Sequence, residues 1–210
     1  MDLSRYFDHA ATTPVAPEVI DVMAPYWRDL PGNAHSIHQL GRQARDAVEV
    51  ARHQIAEAIG AEAGQIVFTS GATESNNWVW RKSVDMLVSP IEHSSMLVPA
   101  GSSQLPIHDW EVGVNDLEVA VMAVNNETGG MPTLRGTPYL LHVDATQAIG
   151  KVPWTVGDAA WASLSAHKIG GPKGVGALYI RDGFMAPLLL GGGQEYGLRA
   201  GTLNVPGRSE

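Results

Sequence analysis

The chain has 210 residues and no cysteine, with 44% hydrophobic and 17% charged residues, and 14 basic against 22 acidic side chains give a net charge of −8. That length and apolar content suit one sizeable folded domain, and the acidic balance argues against general affinity for nucleic acid or an acidic membrane surface. The missing cysteine excludes disulfides, thiolate metal sites and a thiol nucleophile supplied by these residues.

In chain order, PEVIDVMAPYWRDL (17–30) carries apolar positions at loose helical spacing. The spacing predicts a firmer helix over 38–59, where Ala44, Val48, Ala51, Ile55 and Ile59 form one apolar stripe and Gly60 follows as a C-terminal cap. IVFTS (66–70) is rich in strand formers and runs straight into GATESNNWVWRK. Strand, small-residue turn and helix make the first half of a βαβ unit. Further apolar runs recur at 85–89, 119–124, 139–144, 161–166 and 176–180. They are continuous rather than alternating, as strands buried on both faces of a mostly parallel sheet are.

The pattern reads as α/β, a three-layer domain over residues 1–210. The connections 125–138 and 145–160 are short for a full crossover helix. No apolar run is long enough to span a bilayer and no basic-then-apolar leader opens the sequence, so a cytoplasmic protein without a membrane partner is expected. The sequence stops at NVPGRSE, soon after the flexible Gly191–Gly193, and the expectation is either that a partner surface covers that side or that the domain is a minimal version of something larger.

Three features carry chemistry. Gly71, Ala72 and Thr73 follow a strand and open a helix, where free N–H groups and a hydroxyl suit a phosphate; an ordinary helix cap would use the same residues. Asp144 closes the run YLLHVD, and a carboxylate at the carboxyl end of a buried strand lies where open α/β sheets bind ligands; it would equally cap a helix starting at ATQ. Lys168, in SAHKIGGPKG, ends another buried run, and a partly desolvated amine there can form a Schiff base, although a lone lysine is usually a solvated one. Together they are the parts that pyridoxal 5'-phosphate needs: a lysine for its carbonyl carbon, an acid for its pyridine nitrogen, and a helix start for its phosphate. His93, after a further strand, is placed to stack on such a ring.

In order along the chain, YFDHAATTPVAPEV, GNAHSIHQLGRQA, IVFTSGATESNN, IEHSSM, VNNETG, HVDATQAIGK, SAHKIGGPKGVGALYI and GGGQEYGLRAGTLNV resemble the cysteine desulfurases of the class V aminotransferase family. The resemblance implies the large domain of a fold-type-I pyridoxal phosphate enzyme that mobilises sulfur from L-cysteine for iron–sulfur cluster assembly. It implies that Lys168 holds the cofactor and that His93 stacks on its ring. Asp144 would meet the pyridine nitrogen, and Gln147 and Asn125 the ring oxygen or substrate. Thr73, Ser165 and His167, with Gly71 and Ala72, would hold the phosphate. Thr202 would reach the phosphate of a neighbouring subunit, which implies a homodimer, with residues 1–35 at the domain edge or dimer interface.

The departures are equally specific. The family's catalytic cysteine and small C-terminal domain have no counterpart in these residues, segments between 80 and 140 are short, and Gln194 stands where a histidine is frequent. A sulfur acceptor would have to come from elsewhere, such as a partner protein. Two other readings follow from the residues. A catalytically incomplete, cofactor-binding subunit would serve as an interaction scaffold in a hetero-oligomer. A metal site could use the H-x-D pair His142 and Asp144, or the near pair His35 and His38, completed by a third ligand.

Overall fold

The computed structural model describes residues 5–105, 107–108, 111–113 and 117–208. Four α-helices occur among them: α1 (Pro17–Arg28), α2 (Gln39–Ile59), α3 (Ala72–Lys82) and α4 (Ser94–Ala100). The strands are β1 (Ile66–Thr69), β2 (Leu87–Val88), β3 (Ile107–His108), β4 (Glu111–Gly113), β5 (Glu118–Met122), β6 (Thr133–Arg135), β7 (Leu140–Asp144), β8 (Trp161–Ser165) and β9 (Gly176–Ile180).

Six strands form the main sheet in the order β1-β9-β8-β7-β5-β2. The pairs β8–β7, β7–β5 and β5–β2 are parallel, whereas β9 runs antiparallel between β1 and β8. The expected mostly parallel, three-layer α/β arrangement is therefore present. Successive side chains of β9 show the layering. Leu178 and Ile180 join Trp78, Val79 and Met96 from α3 and α4, while Ala177 and Tyr179 join Ala56 and Ile59 from α2. Alternation across a strand sends one set to each face. All of β9 is buried, which explains its unbroken apolar run.

α2 begins where its cap permits: His38 Nδ1 accepts the Gly41 N–H at 3.2 Å, and Gly60 ends the helix in the left-handed conformation (φ 72°). The short connection after β7 holds no α-helix. It makes helical turns at Ala145–Val152 and returns to the sheet through Val156, whose N–H reaches Ile59 O. The connection after β5 holds β6, which pairs with β4 in a separate three-stranded sheet β3-β4-β6.

The segment after β9 is fastened by a buried ionic cluster. Glu195 accepts from Arg52 Nη1 (2.9 Å), Arg208 Nη1 (2.9 Å) and the Phe68 N–H (2.8 Å), and its side chain is fully buried. Arg52 also donates to Ile66 O at 2.7 Å and pairs with Glu49. Glu195 (φ 48°) and Tyr196 (φ 59°) both hold positive φ, a strained backbone for side-chain-bearing residues that the surrounding contacts must over-determine. Removing the shared carboxylate would leave the buried Arg208 guanidinium uncompensated and Arg52 with Glu49 alone, and breaking a buried pair costs about 3–5 kcal/mol. Glu195→Ala should therefore lower the urea midpoint sharply, whereas Asp29→Ala, which removes the exposed Arg28–Asp29 pair, should leave it unchanged; equilibrium unfolding of both variants checks this.

Candidate active site

A cavity of about 550 Å³ opens at the carboxyl ends of β7 and β8, against the start of α3. Gly71, Ala72, Thr73, His93, Asp144, Gln147, Ser165, His167 and Lys168 all line it. Of the expected site residues, Asn125 and Thr202 do not. Asn125 is buried, and its side chain is consumed by its own turn: Oδ1 accepts the N–H groups of Glu127 (3.0 Å) and Thr128 (2.9 Å), and Nδ2 donates to Ile91 O at 2.8 Å. Its neighbour Asn126 lines the wall. Thr202 is exposed on the segment after β9.

Glycine places the helix start. A Cβ on Gly176 of β9 would lie 2.5 Å from Gly71 Cα, so only glycine lets the turn before α3 rest on the strand. Gly71 itself has φ 147°, open to glycine and strained for other residues. It contributes no side-chain cap, so the first N–H groups of α3 face the cavity mouth without one.

The lysine turn is held from the N-terminal segment. Thr13 donates from N (2.7 Å) and Oγ1 (3.0 Å) to His167 O and accepts the Gly170 N–H (2.8 Å). Thr12 Oγ1 lies 3.0 Å from His167 Nδ1. The sequence reading gave neither threonine a role; the AATT stretch offers no periodic or spacing signal. Burial draws the Lys168 amine below its ordinary pKa, with Asp144, Glu127 and Asp8 pulling the other way. The His167 imidazole is likewise lowered, by burial and then by Lys168, Lys173 and Lys151. The Lys151 amine donates to Gln147 Oε1, and Gln147 Nε2 donates to Ala10 O at 2.8 Å.

Asp144 forms the floor. Its Oδ2 accepts from Asn76 Nδ2 (2.8 Å), its Oδ1 accepts the Thr146 N–H (3.0 Å), and the residue is 5% exposed. No ion pair to it occurs among the described residues. Asn76 Nδ2 also donates to Ser95 Oγ (2.8 Å), which lies 2.9 Å from His93 Nδ1. That nitrogen accepts the Ser95 N–H at 3.1 Å, so a neutral His93 carries its proton on Nε2. Glu92 is buried beside this floor, with the Met122 N–H donating to Oε1. Burial, then the neighbouring Asp144, push the pKa of its carboxyl well above the ordinary range. Glu92 and Asn76 had no part in the sequence reading.

The metal alternative does not assemble. His142 is fully buried with Nε2 3.0 Å from Ser163 Oγ, His38 is spent on its cap, and no group of three possible ligands occurs among the described residues. Burial pushes the His142 pKa down to about 4, against the pull of Asp144. An unfolded imidazole takes up a proton near pH ~6.5, and the folded one resists until about 4, so acidification through that window favours the unfolded chain. Glu92, with its raised pKa, acts in the opposite sense. His142→Gln should therefore lose about 2–3 kcal/mol less stability than the parent protein between pH 7 and 4.5; urea midpoints of the two proteins at both pH values check it.

Comparison with known proteins gives a consistent set of relatives. The pattern of the family Aminotransferase class-V fits residues 5–208. Cysteine desulfurase IscS 1 of Archaeoglobus fulgidus is 40% identical over 238 residues, covering 96% of this chain and 62% of its own length. Cysteine desulfurase IscS of Dictyoglomus turgidum is 39% identical, covering 96% and 60%. The chain thus spans about three fifths of the curated relatives it matches. Among solved structures, a NifS-like protein superposes with a TM-score of 0.88 at 36% identity, covering 97% of this chain and 66% of that one. SspA in complex with cysteine gives 0.84 at 32%, covering 97% and 70%. An alignment longer than the 210-residue chain means that the relatives carry residues absent from its interior.

Proposed function

The chain belongs to the class V aminotransferase family, a family of pyridoxal phosphate enzymes, and on that premise we propose that its cavity binds pyridoxal 5'-phosphate and takes part in sulfur mobilisation from L-cysteine. The observation that carries this reading is Asp144, a buried carboxylate with no ion-pair partner among the described residues, at the floor of a cavity whose far end is a helix start beside a half-buried lysine. A buried carboxylate calls for a cationic or proton-donating partner. The ligand that fits carries a protonatable ring nitrogen at one end, a phosphate at the other, and a carbonyl carbon within reach of an amine.

Lys168 would hold that carbonyl carbon and Asp144 the ring nitrogen. Gly71, Ala72, Thr73, Ser165 and His167 would receive the phosphate, and His93 would lie against the ring. Gln147, fixed by Ala10 and Lys151, would face the ring oxygen or substrate. When bound, the cofactor supplies an electron sink for bond cleavage next to the substrate amine. The lowered pKa of Lys168 leaves Nζ more of the neutral form that can take the Cα proton. Ser95 and Asn76 hold His93 Nδ1 as an acceptor, which leaves Nε2–H to donate toward the cavity. Burial beside Asp144 raises the Glu92 pKa and so favours its neutral form.

These 210 residues contain no cysteine, so the sulfur acceptor is a thiol from outside them. We place Thr202 at the phosphate of a second copy, in a homodimer; its exposure outside the cavity and the neighbouring exposed Leu190 and Tyr196 support this.

The purified protein should show the visible absorption band of a lysine-bound pyridoxal, and Lys168→Ala should abolish it. With added thiol, L-cysteine should yield alanine and a persulfide in equal amounts. A colourless protein that takes up no added cofactor overturns the reading. Cofactor binding without alanine release, with or without thiol, would favour the scaffold instead.

A further inference from the structure

A carboxylate stands at the wrong end of this cavity for a phosphate. Glu74 lies in the first turn of α3, lines the wall beside Gly71, Ala72 and Thr73, and accepts the Ser70 N–H through Oε2 at 2.9 Å. An acidic side chain is favourable at a helix N-terminus, but a bound anion wants the same place and is repelled by it. Without compensation, the helix start best placed to receive the phosphate would carry its own negative charge.

The compensation comes from the segment after β9. Arg199 donates through Nε to Glu74 Oε1 and through Nη2 to Oε2 at 3.1 Å, a two-pronged contact in which both side chains are 17% exposed. Arg199 is itself anchored on both sides. Leu198 is buried in the core and its carbonyl accepts the Leu188 N–H, while the Ala200 N–H donates to Leu189 O. Burial disfavours the Glu74 anion, yet hydrogen bonds from Arg199 and Ser70 outweigh it and hold the carboxyl below its ordinary pKa. The pair therefore persists as an ion pair across the neutral range, and a planar guanidinium suits this forked geometry better than an ammonium.

We propose that Arg199 is a charge-masking and positioning residue of the phosphate cradle: it neutralises Glu74 so that the start of α3 accepts a phosphate, and it ties the segment bearing Thr202 to the same helix end. The inference rests on the reading of the cavity as a pyridoxal phosphate site and assigns a role to two residues that touch neither ring nor amine. Lys173 also lines the cavity and adds positive charge, but it is not paired with Glu74.

The test titrates cofactor-free protein with pyridoxal phosphate and with pyridoxal, which lacks the phosphate, following the absorption change. Arg199→Gln should weaken pyridoxal phosphate by about tenfold or more and leave pyridoxal within about twofold, because only the phosphate feels the bared carboxylate. Glu74→Gln/Arg199→Gln should return pyridoxal phosphate affinity to within about threefold of the parent. Glu74→Gln alone, which keeps the Ser70 contact and frees the guanidinium charge, should bind pyridoxal phosphate at least as tightly as the parent, and it serves if Arg199→Gln does not fold. Equal weakening of both ligands by Arg199→Gln, no rescue in the double variant, or a tenfold loss in Glu74→Gln alone overturns the proposal. Parent protein that takes up neither ligand overturns the cofactor reading itself.

Discussion

One buried carboxylate organises this molecule. Asp144 ends a central strand with almost no exposure, and a charge there is tolerable only if several elements serve it together. α3 sends Asn76, the turn after β7 sends the Thr146 N–H, and the start of α4 ties Ser95 and His93 into the same network. The two helices that cover one face of the sheet are thus fixed relative to the strand end by polar contacts as well as by Trp78, Val79 and Met96. Glu92 shows the cost of that choice. Burial and the neighbouring Asp144 raise the pKa of that second carboxyl, because two adjacent buried anions would be far less stable than one.

The helices α2 and α3 and the strands of the main sheet were legible in the sequence because their signals are strong and local, whereas the seven-residue α4 was not. The stripe from Ala44 to Ile59 and the αL cap at Gly60 announce α2, and the run GALYI is apolar throughout because both faces of β9 are covered. The small sheet β3-β4-β6 was not legible. Its strands are two or three residues long, too short for any period to register, and β4 and β6 pair only because the chain returns after β5.

The site divides in the same way. Lys168, Asp144, His93 and Thr73 stood out because each closes or follows a strand, and strand ends converge on one edge in an open α/β sheet. Thr12 and Thr13 lie more than 150 positions from His167 and meet it only through folding. Asn125 shows a different ambiguity. Asparagine is as useful for closing a turn as for holding a ligand, and here two backbone N–H groups consume its oxygen. Sequence shows that a side chain can donate or accept; only the fold shows which partner claims it.

The cavity has an electrical direction that the net charge of −8 conceals. Asp144 supplies the negative floor, while Lys168, Lys173 and the start of α3 line the other walls. A ligand with opposite charges at its two ends can enter such a field in one orientation only, and low-dielectric walls strengthen that preference. The orientation survives because the one acidic side chain in the first turn of α3, Glu74, is silenced by Arg199. That guanidinium lies in a segment anchored by Glu195, whose own strained backbone is held by Arg52 and Arg208. A buried ionic cluster outside the cavity lining therefore bears on the polarity of the site, because it fixes where Arg199 begins.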